Sequence, residues 1–304
     1  MVDLPAGQRE VVEVPEVMRR LLKAALRHER VASGLTQTQV AEALDWSLSK
    51  IIRIESGAVG LSTTDLRALL HLYKITDENR RSELLELARG SRKQSWSEYG
   101  DVYSAPTRTL FGYEAAAKII YKYEPTFIPG LLQTEEYATA LLRAAGHSEN
   151  EIERMVKGRL ERQELLDQNV RPQLEFILGE AAVSRAVGGP RVMAHQLEQL
   201  EDLAARPGIS LQLLLFDAGA HPRMGEAFTI LEFADENLDD LVYLEGAGRE
   251  SVSREDPEVT SAYRRDFYAL QELAIPSKDF AAEINKIAAA RLKLSSDTKV
   301  IKDG

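Results

Sequence analysis

The chain is 304 residues long, 44% hydrophobic and 28% charged, with no cysteine. That length allows two domains at roughly 100–200 residues each. The composition excludes wholesale disorder, disulfides, thiolate metal sites and a cysteine nucleophile, and no apolar run approaches the ~20 residues of a membrane span. The formal net charge of −10 argues against a polyanion partner for the chain as a whole, but residues 1–95 hold 15 Lys+Arg against 13 Asp+Glu, a balance of +2, and the remainder 23 against 35, a balance of −12.

Residues 1–13 carry no clear period and are expected to form a mobile arm, without the charged start and apolar core of a signal peptide. Pro15 or Glu16 opens a long helix through Ser33, with Val17, Leu21, Ala25 and Leu26 as its buried stripe, and Gly34 ends it. Thr36 with Gln39 three residues on has capping-box spacing and starts a short helix whose stripe is Val40, Ala41 and Leu44. Asp45 and Trp46 make a turn, Asp being tolerant of the left-handed region. Ser47 then caps a helix with Ile51 and Ile54 inward and Leu48, Ser49, Lys50, Ile52 and Arg53 on or near its outer surface. Ser62-Thr-Thr-Asp65 opens a fourth helix with Leu66, Leu69, Leu70 and Tyr73 inside. Asp77 opens a fifth over 78–89, where Leu84, Leu85 and Ala88 pack. Five helices in residues 14–89 predict an independently stable bundle.

A short helix, a tight turn and a second helix with a polar exposed start have the geometry that reads a DNA major groove. Ser47 and Ser49 put hydrogen-bonding groups where bases and phosphates would be met, and Gln37 sits at a helix N-terminus that favours a phosphate. Arg19, Arg20, Lys23, Arg27, Arg30, Lys50 and Arg53 supply candidate cations for phosphate contact. The pattern Leu26-Arg27, Arg30, Gly34-Leu-Thr-Gln37, Val40-Ala41, Leu44, Ser47, Ser49-Lys50-Ile51 and Arg53-Ile-Glu-Ser-Gly57 resembles the phage-repressor-like (XRE-type) helix-turn-helix regulators. That resemblance implies a recognition helix over about 47–56, with Gln37, Ser47, Leu48, Ser49, Lys50 and Arg53 as DNA contacts. Leu48 is able to touch a thymine methyl. Asp45 departs from the glycine frequent in that family, and its charge is mildly unfavourable near DNA.

Residues 90–108 break the period and are expected to be a linker, with Trp96, Tyr99 and Tyr103 suited to docking on the second domain or a partner, a packed loop being the stronger reading. A helical pattern resumes from Leu110 through Tyr123, and Glu124-Pro-Thr-Phe-Ile-Pro-Gly130 interrupts it. Thr134 caps a helix to about Ala145, and 149–169 is a charged helix. Gln173-Leu-Glu-Phe-Ile-Leu178 alternates as a strand. An amphipathic helix over 190–206 carries Met193, Leu197, Leu200 and Ala204, and strand-like runs follow at 209–216, 227–233 and 241–245. Helices over 257–273 and 277–294 and a disordered tail over 295–304 complete the chain. The expected fold is mainly α: a five-helix phage-repressor-like bundle, then an α+β regulatory or dimerisation domain over 109–294 with about four strands.

Tyr123-Glu-Pro-Thr-Phe-Ile-Pro-Gly-Leu-Leu-Gln-Thr-Glu-Glu-Tyr-Ala138, Arg159 and Arg162 with Gln163, Ile177-Leu-Gly-Glu-Ala-Ala182 and Gly219-Ala-His-Pro222 resemble a second, actinobacterial family. Its members join an XRE-type head to a C-terminal domain of unassigned activity and include WhiJ-like developmental regulators. The resemblance implies a transcriptional regulator, often paired with a small acidic protein encoded by an adjacent gene, in antitoxin-like or differentiation circuits.

None of the five histidines lies at i, i+4 to another or joins carboxylates at ligand spacing, so no metal and no cofactor are expected. Asp217, His221 and Glu226 could form an acid–base set, but no nucleophile motif accompanies them, and a hairpin loop braced by His221 is the stronger reading. Binding is therefore expected rather than catalysis. Gln133 and Thr134 at a helix N-terminus, with Arg159, Arg162 and His221, form the candidate effector or partner site, against which a structural turn in a packed core is the somewhat stronger reading. The expected protein is a cytoplasmic, DNA-associated homodimer on double-stranded DNA, no enzyme. An antitoxin-like scaffold that sequesters a small partner is the alternative.

Overall fold

The computed structural model describes residues 14–93, 95–168, 171–235, 238–246, 249–254 and 256–289. The arm expected over 1–13, the end of the last helix and the tail over 295–304 lie outside the described residues. The chain divides into two compact units, one up to Ser97 and one from Glu98 onward.

The first unit contains α1 (Pro15–Ala32), α2 (Gln37–Leu44), α3 (Leu48–Glu55), α4 (Thr63–Leu72) and α5 (Glu78–Gly90). Leu22 and Leu26 of α1, Val40 and Ala41 of α2, Ile51 and Ile54 of α3, Leu66, Leu69 and Leu70 of α4, and Leu84 and Ala88 of α5 make one core. The α1 stripe is rotated from the expected one. Met18, Leu22 and Leu26, four residues apart, are buried with Val17, whereas Leu21 and Ala25 are half-buried on its flank. Met18 faces α5, its thioether lying in the space a Cβ at Gly90 would take, 2.1 Å from the sulfur.

The second unit holds α6 (Ala105–Ala116), β1 (Ile119–Glu124), α7 (Glu135–Ala144), α8 (Glu149–Gln163), β2 (Gln173–Gly179), α9 (Glu180–Ser184), α10 (Pro190–Ala204), β3 (Ile209–Leu214), β4 (Ala227–Glu232), β5 (Leu241–Gly246), β6 (Arg249–Arg254) and α11 (Pro257–Leu273). Residues 280–289 are helical again. Six strands form one sheet in the order β3-β2-β1-β4-β5-β6, against the four that alternation predicts. The helical pattern expected through Tyr123 stops at Ala116, and Ile119–Glu124 is the central strand. From Ile120 onward every residue of β1 is buried, so it shows no alternation to read. β6 is a mostly polar run, Arg-Glu-Ser-Val-Ser-Arg, with Val252 as its one apolar residue and so no alternation to read.

β1, β2 and β3 are parallel, because α7–α8 and α9–α10 carry the chain back between them. β4 runs antiparallel to β1, and β5 and β6 continue as a meander. Tyr121, Tyr123, Ile177, Leu214, Phe228, Ile230 and Val242 lie beneath α11, packed against Tyr263, Phe267 and Leu270. The alternate strand residues, Ile120, Phe176, Leu178, Leu213 and Leu231 among them, point the other way and are also buried. With both sides covered, the parallel half reads as continuous apolar sequence.

The segment expected as a linker over 90–108 divides between the two units. Tyr99 and Tyr103 are buried against α8 of the second unit. The Tyr103 hydroxyl donates to the Met155 carbonyl, and both rings lie over Gly158, where a Cβ would stand 3.0–3.1 Å from them.

Candidate nucleic-acid interface

The turn between α2 and α3 is built by local chemistry. The Thr36 hydroxyl accepts from Gln39 N, and the Gln39 side chain accepts from Thr36 N, a complete capping box. Asp45 ends α2 in the left-handed region at φ 55° and ψ 44°, and Trp46 N returns to the Ala41 carbonyl at 2.8 Å. Ser47 then caps α3, its hydroxyl accepting from Lys50 N. Asp thus takes the conformation for which glycine is the usual choice.

Behind α3 sits a buried polar anchor. The Arg30 guanidinium grips Glu55 with a fork, Nε to Oε1 at 2.6 Å and Nη2 to Oε2 at 3.1 Å, and Gln37 Nε2 donates to Oε2 at 2.8 Å. The hydrogen bond to Glu55 raises the Arg30 pKa further above its ordinary value, against the desolvation that lowers it. One carboxylate therefore ties α1, the start of α2 and the end of α3 together. Its sequence signal was only the spacing of Arg30, Gln37 and Glu55, which periodicity does not reveal.

Ser47, Leu48, Ser49, Ile52 and Arg53 are exposed. Arg53 has no side-chain partner among the described residues. Lys50 is different: its ammonium lies 3.0 Å from Asp65 Oδ1 at the start of α4 and 3.6 Å from the centre of the Trp46 ring. Of the seven cations proposed for phosphate contact, Arg27 and Arg53 are exposed and without a side-chain partner among the described residues. Arg19 donates to the Ser91 carbonyl, Arg20 is buried, and Arg30 belongs to Glu55. Ile52, left out of the expected contacts, stands on the same outer surface as Leu48.

The candidate effector site of the second unit is occupied by the chain itself. Gln133 is buried; its amide donates to the Ile128 carbonyl, and its oxygen accepts from Arg159. The Thr134 hydroxyl caps Tyr137 N, and Thr134 N donates to Gln196 Oε1 at 2.8 Å. Arg162 forks onto buried Glu114 with two contacts of 2.6 Å, and Gln163 donates to the Gly130 and Gln133 carbonyls. These residues lock the turn before α7 to α6, α8 and α10. Gln196, fully buried, was the missed member, and its place on the Met193–Leu197–Leu200 stripe was the available signal.

His221 makes none of these contacts. Its Nδ1 meets the Pro222 carbonyl at 2.9 Å and its Nε2 the Tyr123 hydroxyl at 3.5 Å. The segment it stands in is no hairpin, because β3 and β4 are separated by β2 and β1 in the sheet. It crosses from the edge strand to the centre. Glu226 is taken by the Tyr263 hydroxyl and Arg223, and Asp217 is exposed, so the Asp217, His221 and Glu226 set is not assembled. Burial pushes the Tyr123 hydroxyl beside His221 up to about 12.

Two helices joined by a left-handed turn, the second presenting an exposed face from a braced bundle, define a helix-turn-helix domain. A family model described as a helix-turn-helix domain matches residues 21–84. A second model, described as a domain of unknown function (DUF5753), matches residues 107–286, more than half of the chain, and the chain belongs to that family. Comparison with curated proteins and with solved structures finds no match. Among the described residues, no helix is long and apolar enough to cross a membrane.

Proposed function

We propose that this protein is a sequence-specific DNA-binding transcriptional regulator of the XRE type, with α3 in the major groove and no enzymatic activity of its own. The supporting observation is the contrast between the two sides of α3. Ile51, Ile54 and Glu55 are buried and braced, while Ser49 and Arg53 are exposed and not engaged by other side chains of the described chain. One such head buries roughly 600–1,000 Å² on DNA, too little for high affinity. Two copies on half-sites about 34 Å apart therefore form the working unit, with the second unit as the part that pairs them or takes a regulatory partner. The head is the output and the second unit the input. In vitro selection of bound duplexes from a random library by the full chain, followed by titration of the Arg53→Ala variant, tests this. An enriched, near-palindromic sequence bound at least tenfold more weakly by the variant is expected. No enrichment refutes the reading.

A further inference from the structure

Two large aliphatic side chains lie open on α3. Leu48 is 42% exposed and Ile52 45% exposed, although the helix has eight residues and already gives Ile51 and Ile54 to the core. Four residues apart, they are neighbours on one helix face. At about 100° per residue, Leu48, Ile52, Ser56, Ser49 and Arg53 follow one another round an outward arc of about 140°, with Leu48 and Ile52 side by side in one half of it and Arg53 at the other end. Lys50 falls outside that arc, on the side where Trp46 and Asp65 hold it. The polar members of the arc are Ser49, Ser56 and Arg53, and no amide or carboxylate is present to read an adenine or cytosine edge.

The major groove offers one apolar group, the thymine C5-methyl. We propose that Leu48 and Ile52 form an apolar edge that reads thymine methyls, making them the specificity-determining pair of this chain. The inference rests on the DNA-binding reading above. It assigns Arg53 to the margin of the arc, beside a phosphate or a guanine. It also places thymines at adjacent or near-adjacent steps of each half-site, because the two side chains are one helical turn apart.

The test uses deoxyuridine, which lacks only the methyl and keeps every hydrogen-bonding group. Starting from the duplex enriched by the full chain, each thymine is replaced singly and affinity is measured by fluorescence anisotropy. Removal of a contacted methyl is expected to weaken binding about fourfold at one to three positions per half-site. Leu48→Ala and Ile52→Ala, both truncations at exposed sites, are expected to lose a similar factor on the thymine duplex and to become indifferent to uracil at their own positions. An enriched duplex that the wild-type chain binds equally well with every thymine replaced overturns the proposal and leaves DNA binding standing. So does an Ile52→Ala variant as sensitive to uracil at every position as the wild type. A library with no enriched sequence removes the DNA-binding reading itself, and this proposal with it.

Discussion

Lys50 Nζ lies 3.0 Å from Asp65 Oδ1, so the most prominent cation of α3 is joined to the first turn of α4. The same ammonium stands over Trp46, in the turn that sets the entry of α3. Lys50 is thus held by α4 and the turn, while Arg53 stands exposed without a side-chain partner among the described residues.

The two cations should separate experimentally. Arg53→Ala is expected to weaken operator binding at least tenfold and to lower the slope of log K against log salt by about one, as for loss of a phosphate contact. Lys50→Ala is expected to keep that slope and to destabilise the head by about 1 kcal/mol. An exposed ion pair contributes less than that, and an exposed cation–π contact adds a similar amount. Salt titrations of both variants with thermal melts decide this; equal slopes for the two would show that Lys50 leaves Asp65 for a phosphate.

Glu55 offers a larger effect from a residue that touches no ligand. Its carboxylate is buried and is the acceptor for both Arg30 and Gln37. Glu55→Ala leaves a mostly buried guanidinium without its partner, and removal of one member of such a pair costs about 3–5 kcal/mol. The Arg30→Met, Glu55→Met double variant is expected to recover much of that loss, since it leaves no unpaired charge. Urea denaturation of the three proteins measures both. A Glu55→Ala loss below about 1 kcal/mol would mean that the anchor is not what positions α3.

The head was legible in the sequence because its signals are local. Capping residues Thr36, Ser47, Ser62 and Asp77 each do what their spacing predicts, and Asp45 turns as its side chain allows. What escaped depends on distant partners. Glu55 gains its meaning from Arg30, 25 residues away, and Lys50 from Asp65. In the second unit, β1 was hidden by its own burial. The Ile-Pro-Gly-Leu-Leu-Gln-Thr motif is a structural turn in a packed core, the stronger of its two readings, but the sequence does not show that Gln196 and Arg159 are what fill its helix N-terminus. An unusual motif can mark a lock as readily as a pocket.

That lock makes Gln196 and Gly130 sensitive sites. Gln196→Leu keeps the volume but leaves Thr134 N without its acceptor, and an unsatisfied buried donor costs about 1–3 kcal/mol. Gly130→Ala places a Cβ 3.0 Å from Arg162 Nη1. Arg162 is pinned by Glu114, so relief is limited and a loss of about 1–3 kcal/mol is expected, the cost of overpacking. Gly60→Ala, with nothing near its Cβ, serves as the control. Chemical denaturation of the three variants would contradict the lock if Gly130→Ala and Gly60→Ala behaved alike.

Acid should weaken the second unit through Glu232 at the end of β4. Partial burial alone would push its carboxyl up, but the hydrogen bond and charge of Arg264, with Lys118 beyond, outweigh burial and hold it below its ordinary value. A carboxyl with a depressed folded-state pKa contributes stability that is present above its unfolded pKa, about 4.3, and lost as pH falls through the folded value. Glu232→Gln is therefore expected to melt lower than the wild type at pH 7 and to converge with it as pH drops below about 4. Arg264 also holds Asp240 at 2.5 Å, so losing Glu232 leaves that cation partnered and confines the effect to one carboxylate. Melting curves of both proteins between pH 3 and 7 give the answer, and a difference that persists unchanged at pH 3 would assign the loss to packing of β4 rather than to the charge.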